Sequence, residues 1–277
     1  MIMNLHTHTH HSYDGAPESV ADRIAAAKAL GLKFMAVTDH VEVNRYFPAS
    51  YYGAEPSEQF TYHFSDTFAQ SVAETEREQE RCRDLLLLCG VELGQITQAP
   101  EIAQALYADP RLDLVIASVH ELGGMPDFYY LDYSKLDIPA LITQYFDEVL
   151  ATAKTDCYDI LAHITYPLRY IPCRGSYDIT PHLPVIDEIF KVLIEKGKAL
   201  ELNGSGLRKT PQYTDPDPAL LRRYRELGGK FLTISTDAHA TEFLGYRMDE
   251  LEQMARDAGF SYLTYFVKHE PQLVPLG

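Results

Sequence analysis

Four histidines fall within six positions near the N-terminus, at His6, His8, His10 and His11, and Asp14-Gly15 closes the run. Imidazole and carboxylate without thiolate is a donor set for zinc, iron or manganese. The apolar lead Met1-Ile2-Met3 and Leu5 reads as a short buried strand, and threonines interleave with the histidines, unlike a purification tag. Alternate residues of a strand share a face, so His6 and His8 can aim their rings at one ion. His10 continues the same alternation, and spacing alone leaves the choice of pair open. Ser12-Tyr13-Asp14-Gly15 then reads as a turn into a helix.

Further residues of the same chemistry recur along the chain: His40, Glu92, His120, His163, and Asp237 with His239. The elements that must position them are apolar strands at residues 33–37, 85–91, 114–119, 160–162, 199–202 and 231–235. Helical periodicity occupies residues 17–30, 66–83, 100–108, 138–154, 182–196, 217–227 and 248–258, and a short strand at 262–266 follows. With the N-terminal strand, this is a βα unit repeated seven times, with strands apolar enough to be buried on both faces. A doubly wound open sheet or a barrel would fit the alternation. These candidate ligands lie at or just past the C-terminal ends of six different strands, and only a barrel brings those ends to one mouth. So many ligands imply two or three ions sharing a carboxylate. Ions about 3.5–4 Å apart suit phosphoester or amide hydrolysis, because they acidify a water and hold the oxygens of an in-line displacement. Residues 43–65, with Tyr46, Tyr51, Tyr52 and Tyr62, read as a long loop beside the site and a candidate pocket wall.

The chain of 277 residues carries 40 Asp plus Glu against 24 Lys plus Arg, a formal net charge of -16. That field repels polyanions, and no basic patch offsets it, so a nucleic-acid partner is not expected. No apolar run approaches the roughly 20 residues of a membrane span, and no basic segment precedes an apolar signal core. The expectation is a cytoplasmic protein without a membrane or an obligate protein partner. Cys82, Cys89, Cys157 and Cys173 show no C-x-x-C pairing and read as reduced thiols. No linker or composition shift divides residues 1–277, which read as one domain.

The quoted residues form ordered motifs: His6-Thr-His8-Thr with Ser12-x-Asp14-Gly15, Thr38-Asp39-His40, Gly90-Val91-Glu92, Ser118-Val119-His120, Ala162-His163 and Ser235-Thr-Asp237-Ala-His239. As a set they resemble the polymerase and histidinol phosphatase (PHP) superfamily, along nearly the whole chain. The resemblance implies a distorted (β/α)7 barrel and settles the opening pair as His6 and His8. It implies a first metal held by His6, His8, Glu92 and Asp237, a second by Glu92, His120 and His163, and a third by Asp14, His40 and His239. Tyr166-Pro-Leu-Arg-Tyr170, the stretch from Glu201 to Arg208 and Gly245-Tyr-Arg247 look most like the stand-alone histidinol-phosphatases. The implied activity is metal-dependent hydrolysis of L-histidinol phosphate in histidine biosynthesis. The alternative is another small phosphomonoester, such as a nucleoside monophosphate or phosphotyrosine. Arg169 and Arg208 stand just past the fifth and sixth strands, where a guanidinium fork would clamp phosphate. Asp237 or His239 is placed to pass a proton to the leaving alkoxide. Asp127 or Glu42 would meet the substrate ammonium. His63, His182 and His269 are expected at the surface, and His10 and His11 at the rim of the site.

Overall fold

The computed structural model describes residues 2–44, 65–172 and 177–277. Tyr46, Tyr51, Tyr52, Tyr62, His63 and Cys173 therefore lie outside the described residues. The strands are β1 (Met3–Asn4), β2 (Phe34–Val37), β3 (His40–Glu42), β4 (Leu86–Gly94), β5 (Leu114–Ser118), β6 (Ile160–Leu161), β7 (Ala199–Asn203) and β8 (Leu232–Ser235). Seven of them pair in the order β1-β2-β4-β5-β6-β7-β8, each contact parallel. Beyond β1 the chain reaches the end of β8: Leu5 N–H donates to the Ile234 carbonyl at 3.4 Å and His8 N–H to Ala238 at 2.9 Å. The sheet thus closes nearly into a barrel, the one of the two architectures that gathers the strand ends at a single mouth.

The helices are α1 (Val20–Leu30), α2 (Ser65–Arg81), α3 (Pro100–Tyr107), α4 (Ile138–Ala153), α5 (Leu183–Lys196), α6 (Pro218–Glu226) and α7 (Met248–Asp257). Local chemistry sets their ends. Ser19 and Asp22 form a capping box, which starts α1 three residues later than the expected position 17. Asp137 and Asp217 cap α4 and α6 by accepting backbone N–H bonds. Gly31 and Gly197, at φ 75° and 65°, end α1 and α5 in the left-handed conformation that glycine adopts without strain. Every residue of β5, β7 and β8 is buried, as is β4 from Leu87 onward. Leu88, Val91, Val115, Ile116, Leu200, Leu202 and Ile234 belong to one core cluster. Burying each such side chain contributes about 1.5–3 kcal/mol, and together they hold the strand ends in place.

Two elements differ from the sequence reading. Residues 40–42 form β3, a short strand on the edge of β4 with His40 opposite Glu92. Its His-Val-Glu composition carries no apolar run, so only the pairing reveals it. The strand expected at 262–266, β9 (Tyr262–Val267), pairs antiparallel with a further strand, β10 (Glu270–Pro275), in a hairpin of its own. Glutamate at its start and prolines at its second and last positions hid β10 as a strand. Among the described residues, no helix is long and apolar enough to cross a membrane.

Candidate metal centre

At the C-terminal mouth the expected side chains meet around Glu92, which emerges near the end of β4. His6 Nε2 lies 3.0 Å and His8 Nε2 3.4 Å from Glu92 Oε2, and His40 Nδ1 approaches the same oxygen at 2.9 Å. The other oxygen, Oε1, faces His163 Nε2 at 3.0 Å and His120 Nε2 at 3.2 Å. Asp237 Oδ1 stands 3.3 Å from His8 Nε2 and 3.8 Å from His6 Nε2. Asp14 bridges the outer pair, with Oδ2 3.0 Å from His239 Nε2 and Oδ1 3.7 Å from His40 Nε2. Every metal-ligand candidate from the sequence is therefore in one cluster. His6, His8, Glu92, His120, His163 and Asp237 are buried, whereas Asp14 and His239 border the opening.

These contacts do not satisfy one another. Among the described residues, His6 Nε2, His8 Nε2, His40 Nδ1, Glu92 Oε2 and His239 Nε2 are buried without a hydrogen-bond partner. Lone pairs aimed at one another in a buried cup are costly, unless protons or cations lie between them. Three-ligand sets with donor atoms within 4.8 Å of one another are His6/His8/Asp237, His6/Glu92/His163, His40/Glu92/His120 and His8/His40/His239. The donors fit divalent ions in number, type and spacing, and Glu92 is shared between sets.

Outer residues fix which ring nitrogen faces inward. His6 Nδ1–H donates to Glu201 Oε1 at 2.8 Å, and His120 Nδ1–H to Glu42 Oε1 at 2.9 Å. His8 Nδ1–H donates to Ser12 Oγ at 3.0 Å, and that hydroxyl donates to Asp39 Oδ1 at 2.9 Å. Each tie leaves Nε2 free to bind, the carboxylate–histidine arrangement common behind metal ligands. Gly94 makes room for the Glu42 carboxylate, because a Cβ there would sit 1.9 Å from Glu42 Oε2. Glu201 also accepts from Ser235 Oγ and the His163 N–H, bracing two more strands. Asp237 at φ 50° and His163 at φ 21° occupy strained backbone, the kind of cost seen where geometry is held for function.

Electrostatics follow the packing. Burial opposes ionisation of Glu92, yet the His6, His40 and His120 imidazoles hold its carboxyl well below the usual range. Burial also works against His6, but Glu92, Glu201 and Asp237 raise its imidazole well above the ordinary value. Burial is likewise outweighed at His120, where Glu42 and Glu92 raise the ring to about 10. His8 is lowered to about 3 by burial and by the His239 and His40 rings.

Above the cluster is a cavity of about 110 Å³, lined by Tyr13, Tyr166, Tyr170 and Arg169 besides the ligand candidates. Arg169 contacts Asp215 Oδ2 through Nε at 3.4 Å and Asp237 Oδ2 through Nη1 at 3.6 Å. Its buried Nη2 has no hydrogen-bond partner among the described residues. Arg208 does not line this cavity. Its Nη1 and Nη2 donate to the carbonyls of Thr236 and Asp237 at 2.7 and 3.1 Å. Glu42 stands behind His120, while Asp127 accepts from the Tyr166 hydroxyl at 3.2 Å and is raised to about 6 by burial. His182 departs from its expected surface place: it is buried, with Nε2 2.8 Å from the Tyr177 hydroxyl. His269 is half-buried beside Asp159 at the opposite end of the barrel. The sequence reading missed Glu201 and Ser12 as supports. A carboxylate inside the otherwise apolar run Ala199-Leu-Glu-Leu was the available signal for the former.

A model of the PHP domain matches residues 4–205. The chain belongs to the PHP domain family. The match runs from the end of β1 through β7. A Lactococcus lactis protein named histidinol-phosphatase is 28% identical over 272 residues, covering 95% of this chain and 94% of its own. A Clostridium acetobutylicum relative named "Probable histidinol-phosphatase" is 26% identical over 259 residues, covering 93% and 94%. The crystal structure of the L. lactis histidinol phosphate phosphatase with zinc, L-histidinol and phosphate superposes at a TM-score of 0.80, with 25% identity, covering 98% of this PHP chain and 100% of that one.

Proposed function

We propose that this protein is a metal-dependent phosphomonoesterase that hydrolyses L-histidinol phosphate to L-histidinol and phosphate. The observation that carries the reading is the set of buried, inward-facing nitrogens and oxygens around Glu92 without hydrogen-bond partners. Support for the substrate comes from the L. lactis enzyme of the same fold, whose structure holds zinc, L-histidinol and phosphate. In this reading His6, His8, Glu92 and Asp237 hold one ion, Glu92, His120 and His163 a second, and Asp14, His40 and His239 a third. Zinc, manganese or iron suits this donor set. When bound, such ions supply Lewis acidity and a water of lowered pKa for attack on phosphorus.

The chain's own residues do the rest. Arg169 presents the unpartnered Nη2 to a phosphoryl oxygen, a charge-assisted bond worth more in a dry cup than in water. Arg208, engaged with the carbonyls of Thr236 and Asp237, keeps the strained Asp237 turn in place behind that clamp. Of the two candidates for handing a proton to the departing alkoxide, Asp237 is held ionised, against its burial, by the His6, His8 and His239 rings, which leaves His239 for that role in this reading. Tyr13, Tyr166 and Tyr170 wall the cavity, and Asp127, beside the Tyr166 hydroxyl, is the carboxylate for the substrate ammonium.

The test is phosphate release from histidinol phosphate beside a panel of other monoesters, before and after chelation. The reading expects histidinol phosphate to be preferred and activity to vanish with the metal. Preference for a nucleoside monophosphate or phosphotyrosine would assign the same centre to another ester. Hydrolysis that survives complete metal removal would overturn it. Arg169→Ala should raise KM and weaken inhibition by inorganic phosphate, whereas Arg208→Ala should lower kcat more than it raises KM.

A further inference from the structure

Two histidines of the opening run, His10 and His11, are not among the residues lining the mouth cavity. They turn instead to Glu74 on α2. His11 Nε2 lies 2.7 Å from Glu74 Oε2, and His10 Nε2 reaches the same oxygen at 3.6 Å. The two rings are 4.0 Å apart between centroids, and one donor atom of each of the three residues falls within 4.8 Å of the others. An ordinary surface ion pair needs one imidazole for one carboxylate. Here two converge on a single oxygen.

The three groups are also held from behind. Glu74 Oε1 accepts the N–H of Val20, at the first turn of α1, at 3.2 Å. His10 Nδ1 is 3.3 Å from the Glu18 carbonyl, and the His11 N–H donates to Thr9 Oγ1 at 3.2 Å. Such ties orient donor atoms before a ligand arrives. One turn earlier on the same face of α2, Ser71 Oγ donates to Asp39 Oδ2 at 2.6 Å. Asp39 in turn accepts from the Thr9 N–H and Ser12 Oγ. Helix and loop are thus already clasped at one point.

We propose that His10, His11 and Glu74 form a second, peripheral zinc site, separate from the mouth cluster, that fastens α2 to the loop carrying His8 and Asp14. Two imidazoles and a carboxylate are a protein donor set that zinc accepts, with the fourth tetrahedral position left to solvent. The His10 side chain, 40% exposed, borders that open position. The site's role is to stiffen the loop, since none of its three residues lines the mouth cavity.

The experiment uses the full chain loaded with zinc chloride, in wild type and in His10→Ala and Glu74→Gln. Bound zinc is counted by elemental analysis and by competition with a chromophoric chelator. The wild type should hold one more equivalent than the mouth cluster alone retains, in a weaker class. Either variant should lower the affinity of that class at least tenfold, with phosphate release unchanged. Zinc added beyond the tight class should raise the melting temperature of the wild type more than that of either variant. Equal counts and affinities in all three proteins would overturn the proposal. So would a variant that loses the tightly held ions and turnover together, because these residues would then belong to the mouth. His10→Ala removes an exposed side chain, so its folding is not at issue. A wild type that holds the extra zinc but lacks phosphatase activity would leave this site standing and remove the proposed function.

Discussion

The two ends of the barrel use the same residue types to opposite effect. At the end where the strands begin, Asp159 accepts from the Tyr107 hydroxyl at 3.0 Å, the Val115 N–H at 2.8 Å and His269 Nδ1 at 2.8 Å. Asp113 nearby accepts from the Cys89 N–H at 2.9 Å and Gln79 Nε2 at 3.1 Å, and Lys268 Nζ lies 3.2 Å away. These buried carboxylates are matched by donors and hold β4, β5 and the β9–β10 turn together. At the mouth, carboxylates and imidazoles converge with nitrogens and oxygens left over. Burial alone therefore does not mark a functional histidine or aspartate. What marks it is a partner list that the protein leaves incomplete.

That comparison can be broken most directly at Glu92. Glu92→Gln should lower phosphate release by at least about a thousandfold, roughly 4 kcal/mol of transition-state stabilisation, with loss of bound metal and little loss of folding stability. Near-normal kcat in a metal analysis-matched sample would dissolve the distinction from the mouth side. From the other side, Asp159→Ala should destabilise the fold by about 3 kcal/mol, because it strands buried donors, while kcat per folded molecule stays unchanged. Thermal melts and active-site-normalised rates separate the two. A smaller effect is expected one layer out: Glu201→Gln removes the negative charge behind His6 and turns one of two accepting oxygens into a donor, and should weaken metal retention by about 10- to 100-fold, read as the chelator concentration that halves activity.

The finest test is a proton count. In the metal-free protein His6 and His40 stand well above their ordinary value and His120 at about 10; burial works against each, and surrounding carboxylates, Glu92 among them, win. Groups raised in the folded state lend stability that is complete below about pH 6.5. It is lost as pH rises through the folded values. The metal-free form should therefore lose stability as the solution becomes more alkaline, toward about 10 for His120. Loading at pH 7.5 should release protons from these rings, and metal affinity should rise with pH. Calorimetry in two buffers of different ionisation enthalpy measures the number; zero release would show the rings already neutral and the charge account mistaken.

Much of this contrast was legible in the sequence, and the limits are physical. The barrel strands read clearly because strands buried on both faces must be apolar throughout, as Leu114-Val-Ile-Ala is. β3 and β10 did not, since a polar edge strand is defined by its partner more than by its own residues. The ligand candidates read clearly because position at a strand end is a one-dimensional property. Glu201, Ser12 and Glu42 as supports did not, because that role depends on which Nδ1 each meets, across the barrel for Glu201 and Glu42 and within the folded loop for Ser12. Arg208 shows the same limit: its place past β7 suggested a phosphate clamp, but its fork already holds the carbonyls of Thr236 and Asp237. A sequence shows how many donors a side chain has, and folding decides how many remain free.

In the proposed function, side chains from separate strands share divalent ions around Glu92. Anomalous scattering from crystals of the zinc-loaded protein tests it most directly. The account predicts peaks at the mouth, one between His6, His8 and Asp237 and one between His120 and His163, with Glu92 touching both. A fully loaded crystal with no peak beside Glu92, and its zinc elsewhere, would contradict it.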